Sequence, residues 1–174
     1  PGRNSAVMVS GERVVCVSDT VRDYVLRHYP ATDPARLRVI ARGIDPVQFP
    51  RSPHPDGEAR RRVAQRHPAL AAHDPLLLLP GRGTRLKGHA DALQLLATLR
   101  AGPFPAAGLW LPGAREAGRE AYIQELERQA SDLGVAGSVA FTAPTSQIAE
   151  AYAASDLVLQ LSRKPEAFGR TVVE

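Results

Sequence analysis

Apolar residues in this chain occur as short unbroken runs that alternate with longer stretches of helical periodicity. The β-branched run at residues 14–17 ends in Ser18-Asp19, and a helix is predicted over 20–29 from Val21, Tyr24, Val25 and His28. Ser18 or Asp19 is its expected N-cap, and Pro30 helps to close it. Residues 37–41 read as extended and run into Arg42-Gly43-Ile44-Asp45-Pro46. After Asp74 the alternation becomes regular. Strands are predicted at 76–79, 109–111, 139–142 and 157–161, and helices at 89–100, 119–133 and 146–154. A Gly-rich turn fills 81–88, Gly134 stands where a helix should end, and another helix is expected to open after Glu166.

Short apolar strands separated by amphipathic helices mean parallel βαβ units with both sheet faces covered. The expected fold is therefore α/β, a Rossmann-like parallel sheet with helices on both faces and right-handed crossovers. The pattern stops at Glu174 inside a helix, so the sequence reads as part of a longer chain, cut at both ends. Residues 49–74 differ in character. Pro50, Pro53, Pro55 and Pro68 accompany Arg60, Arg61 and Arg62, with His54, His67 and His73 not spaced as metal ligands. A loop and a short helix over 57–67, in a solvated Pro-rich connector, are expected.

Composition narrows the function. A chain of 174 residues suits one domain, or one and part of another. With 44% hydrophobic and 23% charged residues it should form an ordinary core rather than remain disordered. The net charge is +4, and only Lys87 and Lys164 of the 22 basic residues are lysines. Abundant Arg with abundant Ala reads as genomic base composition, and a charge this small and spread does not point to nucleic acid. The single Cys16 excludes an intrachain disulfide framework and a multi-Cys zinc site. The longest aliphatic run, 76–79, is too short for a bilayer, and no signal-peptide pattern opens the sequence. A cytoplasmic setting is expected.

Open α/β sheets bind ligands at the carboxyl ends of their strands, and two loops there carry chemistry. The first is Pro80-Gly81-Arg82-Gly83-Thr84-Arg85-Leu86-Lys87-Gly88. Its glycines let the backbone approach a ligand, and Arg82 and Lys87 can meet phosphate. It is not a P-loop, because His89 stands where the P-loop lysine belongs, and it lacks the third glycine of a dinucleotide fingerprint. A purely structural Gly-turn with solvated cations stays open at this point. The second loop runs from Ser162 through Glu166-Ala167-Phe168-Gly169 to Glu174. Eight helical steps are about 12 Å, so Glu166 in the loop and Glu174 two turns into a helix could hold two distant hydroxyls of one long ligand. The N–H groups of Ala167, Phe168 and Gly169 would open that helix and face a diphosphate. Two solvated carboxylates on a helix is the plainer alternative.

Taken together these loops resemble the family 4 retaining glycosyltransferases, whose fold is called GT-B. Members carry Gly-Arg, four residues, then Lys-Gly after the first strand of the nucleotide-sugar-binding domain, matched by Gly81-Arg82 and Lys87-Gly88. They carry Glu-x7-Glu with a Pro/Ser-Glu-x-Phe-Gly opening, matched by Pro165 to Gly169 and Glu174. A Tyr and an Asp before the fourth strand are matched by Tyr152 and Asp156, and the connector motif by Arg42-Gly43-Ile44-Asp45 with Phe49. The four motifs are ordered and cover nearly the whole chain. Gly83 departs from the usual aliphatic residue, which would loosen the loop while leaving the phosphate ligands in place.

The resemblance implies a division into residues 1–36, the end of an acceptor domain, 37–74, an interdomain connector, and 75–174, an incomplete nucleotide-sugar-binding domain. It implies transfer of a sugar from a nucleotide-diphosphate sugar to the hydroxyl of a sugar or lipid-linked acceptor, in bacterial polysaccharide, lipopolysaccharide or glycolipid synthesis. Arg82, Lys87 and Glu166 would be catalytic, the two cations neutralising the leaving diphosphate. Gly81, Gly83, Thr142, Ala167, Phe168, Gly169 and Glu174 would bind the donor, with Glu174 on ribose and the loop at Thr142-Ala143-Pro144 beside the base. No metal and no cofactor is expected, since the sequence has no Asp-x-Asp motif, and no nucleic-acid partner. Peripheral contact of the longer protein with the cytoplasmic face of the inner membrane is compatible with such acceptors. His28, His54 and His89 are expected at the surface or in packing. A GT-B epimerase, a phosphorylase-like enzyme and a non-catalytic nucleotide-binding module are the alternatives, and an upstream domain with a Gly-rich loop and a His would favour transfer. These 174 residues alone are expected to be inactive, with an exposed apolar edge at 157–161 that favours aggregation.

Overall fold

The computed structural model describes residues 3–174, so the first two residues of the expected 1–36 segment lie outside it. In chain order the elements are α1 (Arg3–Met8), β1 (Val14–Cys16), α2 (Asp19–His28), β2 (Leu37–Val39), α3 (Gly57–Arg66), β3 (Leu76–Leu78), α4 (His89–Ala101), β4 (Gly108–Pro112), α5 (Glu120–Asp132), β5 (Val139–Thr142), α6 (Ile148–Ala153), β6 (Leu157–Val158) and α7 (Arg170–Val173). They group into two compact units. One holds the residues up to Asp45 together with Lys164–Val173, and the other holds Pro46–Arg163 with Glu174.

In the first unit β1 and β2 pair in parallel, Val14 beside Leu37 and Cys16 beside Val39. Val14, Cys16 and Leu37 bury against Val25 of α2. That helix starts where its cap allows. The Ser18 side chain accepts from the Val21 N–H at 3.2 Å, and Arg27 and His28 stand in the last turn, where cations favour the carbonyl end. In the same unit the Ser18 hydroxyl donates to the Ala167 carbonyl. The helix expected from the region of Glu166 opens later, at Arg170. Gly169 has φ +78°, a left-handed conformation that separates Ala167 and Phe168 from the helix. Their N–H groups are therefore not a helix first turn, and Glu174 follows a single turn rather than standing two turns inside.

The second unit is built on a four-stranded sheet ordered β5-β4-β3-β6, with every pairing parallel. Successive residues of β3 face opposite sides, and both sides are dry. Leu77, Leu79, Leu109 and Leu111 pack under Leu93 and Leu96 of α4 and Ile123 and Leu126 of α5. Leu76, Leu78, Trp110 and Ala140 pack against Ala59 and Val63 of α3 and Ala151 of α6. This is why 76–79 is four leucines rather than an apolar-polar alternation. Each such leucine contributes about 1.5–3 kcal/mol through burial. The last strand is shorter than the predicted 157–161, covering Leu157–Val158, although the Leu159 N–H still donates to the Leu78 carbonyl at 2.7 Å.

The expected connector at 37–74 is divided between the units. Residues 37–45 go with the first through β2, and from Pro46 the chain goes with the second. The segment 57–66 is a packed helix rather than a solvated linker, because α6, with six residues, covers too little of its sheet face alone. The Asp56 side chain caps α3, accepting from the N–H groups of Glu58 at 2.8 Å and Ala59 at 3.3 Å. These bonds hold the Asp56 carboxyl below its ordinary range. The arginines of α3 are also committed. Arg60 donates to Asp156 Oδ2 and to the His73 carbonyl, both at 2.7 Å. Arg62 and Arg66 both grip Glu150 of α6.

The Arg62 hydrogen bond, with Arg66 beside it, holds the Glu150 carboxyl below the usual glutamate range. A depressed folded-state pKa stabilises the protein above the unfolded value of about 4.3 and loses that contribution as pH falls through the folded value. Glu150→Gln should therefore lower the unfolding midpoint at neutral pH and shrink the gap from the parent protein below about pH 4. Urea melts at the two pH values check this, and an undiminished gap in acid would contradict it.

Candidate functional site

The turn at 81–88 leaves the carboxyl end of β3 in the second unit. The Gly81 N–H donates to the Pro112 carbonyl at 2.9 Å, tying the start of the turn to the end of β4. The Thr84 N–H donates to the Arg82 carbonyl at 2.7 Å, and the Lys87 N–H donates to the Thr84 carbonyl at 3.0 Å. Residues Arg85–Lys87 form one 3₁₀ turn. Arg82 is exposed and Lys87 half-buried. The Lys87 stem runs past Gly81, its Cδ 3.7 Å from where a Cβ would stand. Arg85 between them is committed elsewhere. Its guanidinium makes a fork with Glu125 at 2.7 and 2.5 Å and lies 5.0 Å from the Tyr122 ring centroid. The fork holds the Glu125 carboxyl below its usual range.

Two glycines show how tightly this turn is seated. Gly88 has φ +75°, and a Cβ there would stand 2.3 Å from the Leu161 carbonyl oxygen. At Gly83 a Cβ would stand 2.4 Å from the Ala114 carbonyl oxygen and 3.0 Å from Ile123 Cδ1. Gly83 was expected to loosen the loop. It instead lets the turn lie against the segment after β4, where an aliphatic side chain has no room. On its other side the turn is held by Arg163, whose N–H donates to the Leu86 carbonyl at 2.9 Å. The Arg163 guanidinium meets Asp91 of α4 at 2.9 and 2.6 Å and holds that carboxyl below its ordinary range.

The loops after β4 and β5 meet beside this turn. The Gly113 N–H donates to Thr142 and Ala143 carbonyls at 3.1 and 3.2 Å, and the Arg115 N–H donates to Thr142 at 3.1 Å. The Thr142 hydroxyl accepts from Trp110 Nε1 at 2.9 Å. Both the carbonyl and the hydroxyl of Thr142 are thus used inside the fold, and Ala143 and Pro144 are the exposed residues of that loop. Thr142 shapes the loop through these bonds.

Gly81, Arg82, Gly83, Lys87 and Thr142 therefore share one edge of one sheet. Glu174 belongs to the same unit and accepts from the Tyr152 hydroxyl at 3.0 Å. Glu166, Ala167, Phe168 and Gly169 belong with the first unit, where Glu166 is half-buried. Asp156, recognised in the sequence only as a motif residue, accepts from the Leu76 N–H at 2.6 Å and from Arg60, so it holds the start of β3. The Asp91–Arg163 fork left no mark in the sequence, since its partners are separated by 72 positions. His89 was expected at the surface or in packing, and it is fully buried under the turn.

Residues 61–174 match the family described as glycosyl transferases group 1. Alpha-maltose-1-phosphate synthase of Mycolicibacterium smegmatis is 38% identical over 82 residues, which are 47% of this chain and 20% of that protein. The structure of a glycosyltransferase from Rickettsia africae ESF-5 is 25% identical with a TM-score of 0.77, covering 96% of this chain and 42% of that one. Anabaena Alr3699/HepE in complex with UDP and glucose is 25% identical with a TM-score of 0.78, covering 93% of this chain and 41% of that one. The chain thus spans a fifth of the curated relative and about two fifths of these structures. Its parallel α/β architecture is that of GT-B proteins.

The seating of Gly83 has a direct consequence. Gly83→Ala should destabilise the second unit by roughly 1–3 kcal/mol, because the obstacle is a backbone carbonyl that cannot rotate aside. Gly83→Val should cost more. Chemical denaturation of the two variants measures this, and a neutral Gly83→Val would show that the turn can move away from Ala114.

Proposed function

Since this chain belongs to the group 1 glycosyl transferases, we propose that its second unit binds the diphosphate of a nucleotide sugar, and that the whole protein transfers the sugar to an acceptor hydroxyl with retention of anomeric configuration. The observation that carries this reading is the turn at 81–88. It sets an exposed Arg82 and a half-buried Lys87 around a glycine-tight backbone at the carboxyl end of a parallel strand. That is the edge at which open α/β sheets take their ligands. The similarity to HepE, whose structure holds UDP and glucose, supports the same ligand class.

In this reading Arg82 and Lys87 make charge-assisted hydrogen bonds to the diphosphate and offset the charge that develops as it leaves. Gly81 and Gly83 let the backbone come close. Glu174, oriented by the Tyr152 hydroxyl, takes the ribose hydroxyls, and Glu166 takes hydroxyls of the transferred sugar. The backbone N–H groups of Ala167, Phe168 and Gly169 add donors to the same sugar-phosphate. Thr142 sets the loop that faces the base. The acceptor oxygen bonds to the anomeric carbon on the face from which the diphosphate departs, and the acceptor proton passes to the donor phosphate. The two cations meet the leaving-group charge, so the reading assigns that role to side chains and not to a metal. The acceptor is a sugar or lipid-linked hydroxyl met at the cytoplasmic face of the cell envelope. Among the described residues no helix is long and apolar enough to cross a membrane.

Titration of the full-length protein with UDP, GDP and ADP tests these assignments. Lys87→Ala and Arg82→Ala should each weaken diphosphate binding roughly 10- to 100-fold, the loss of one charge-assisted contact. Glu174→Ala should weaken both the diphosphate and the sugar donor, because ribose is common to them. Glu166→Ala should leave diphosphate affinity intact and lower turnover. Unchanged affinity in both cation variants would overturn the phosphate assignment. Equal losses of diphosphate affinity in the two glutamate variants would overturn their division of roles. An inverted anomeric product would overturn retention.

A further inference from the structure

The backbone that carries Arg82 and Lys87 closes through one residue, Thr84. The Thr84 N–H bonds the Arg82 carbonyl at 2.7 Å, and the Thr84 carbonyl accepts from the Lys87 N–H at 3.0 Å. A third group reaches the Thr84 carbonyl. His89 opens α4 and is fully buried, with Nδ1 3.4 Å from the Thr84 carbonyl oxygen. Its ring meets Tyr122 edge-on, the centroids 6.4 Å apart and the planes at 82°. In the tautomer that bonds Thr84, Nδ1 carries the proton of the neutral ring, because a carbonyl oxygen only accepts. Burial pushes the His89 imidazole below its ordinary pKa and outweighs the Thr84 and Gly81 carbonyls, which favour the protonated ring. Nε2 is then a buried acceptor, and among the described residues it has no hydrogen-bond partner.

That unpartnered nitrogen bears on why a histidine stands here. A buried acceptor without a donor is costly. A leucine or methionine would fill the same space without the cost, so packing against Tyr122 does not by itself account for an imidazole. What the imidazole adds is the Nδ1–H directed at Thr84.

We infer that His89 is a positioning residue for the diphosphate turn, its Nδ1–H pinning the Thr84 carbonyl, which also accepts from the Lys87 N–H, on the residue that links the Arg82 and Lys87 backbones. The inference rests on the diphosphate reading of that turn. His89 touches no ligand. It acts by keeping the two cations at the separation at which both meet one diphosphate.

The test compares His89→Leu, His89→Asn and His89→Gln in the full-length protein, with UDP, GDP and ADP as probes and thermal midpoints as the control. Asn places an amide donor near the Nδ1 position, whereas Leu offers none and Gln reaches toward Nε2. The expected result is a UDP-class affinity roughly five- to tenfold weaker in Leu, largely recovered in Asn, with KM for the nucleotide sugar rising more than kcat falls. Packing alone predicts the reverse order, with Leu the better tolerated and Asn the worse. Equal affinities in Leu and the parent protein would overturn the inference while leaving the diphosphate reading intact. If the Leu variant does not fold, Asn against Gln decides, and Gln binding as tightly as Asn overturns it. If the parent protein binds none of the three nucleotides, the diphosphate reading itself falls and this inference falls with it.

Discussion

The second unit depends on keeping both faces of β3 out of water. A parallel strand cannot turn one side to solvent and still bury four consecutive leucines, so each face must carry its own layer of helix. On one face α4 and α5 bring Leu93, Leu96, Ile123 and Leu126. On the other, the short α6 is not enough, and α3 is drawn in from a segment whose prolines and arginines suggested an open linker. The place of α3 is a consequence of this demand.

Bringing α3 onto the sheet meant finding partners for its arginines. Arg60 reaches Asp156 and the His73 carbonyl, and Arg62 and Arg66 share Glu150. The same solution recurs around the turn at 81–88, where Arg85 is taken by Glu125 and Arg163 by Asp91. Most of the local positive charge is thereby spent on holding elements together. Arg82 stays exposed at the carboxyl edge of the sheet, with Lys87 half-buried near it. The net charge of +4 therefore says little about the ligand. The distribution of partners says more, because it identifies Arg60, Arg62, Arg66, Arg85 and Arg163 as arginines that brace the fold.

The turn is also constrained sterically. Gly83 and Gly88 are pressed against the carbonyl oxygens of Ala114 and Leu161, so the backbone is held on two sides before any ligand arrives. Preformed donors lose little freedom on binding, which is the property that the proposed diphosphate role would use. The loops after β4 and β5 join the same edge through Gly113, and Thr142 spends its polar atoms there.

Periodicity and turn chemistry alone determined the parallel α/β class, the order of elements from β1 onward and the identity of the turn that the functional reading uses. These are local or near-local properties. Four leucines between turn residues are too few for a helix and read as a buried strand, and Gly81-Arg82 followed by Lys87-Gly88 is visible without a fold. Tertiary structure alone decided which charges are committed, because Asp91 and Arg163, or Arg62 and Glu150, meet only after the sheet has assembled. It decided that the helix near Glu166 begins at Arg170, through a left-handed Gly169 that no periodicity reports. It decided that Gly83 marks a close approach rather than slack, since the obstacle lies on another loop. The role of His89 became legible last, because a histidine in a sequence carries no sign of burial, and its meaning depends on which carbonyl lies above it.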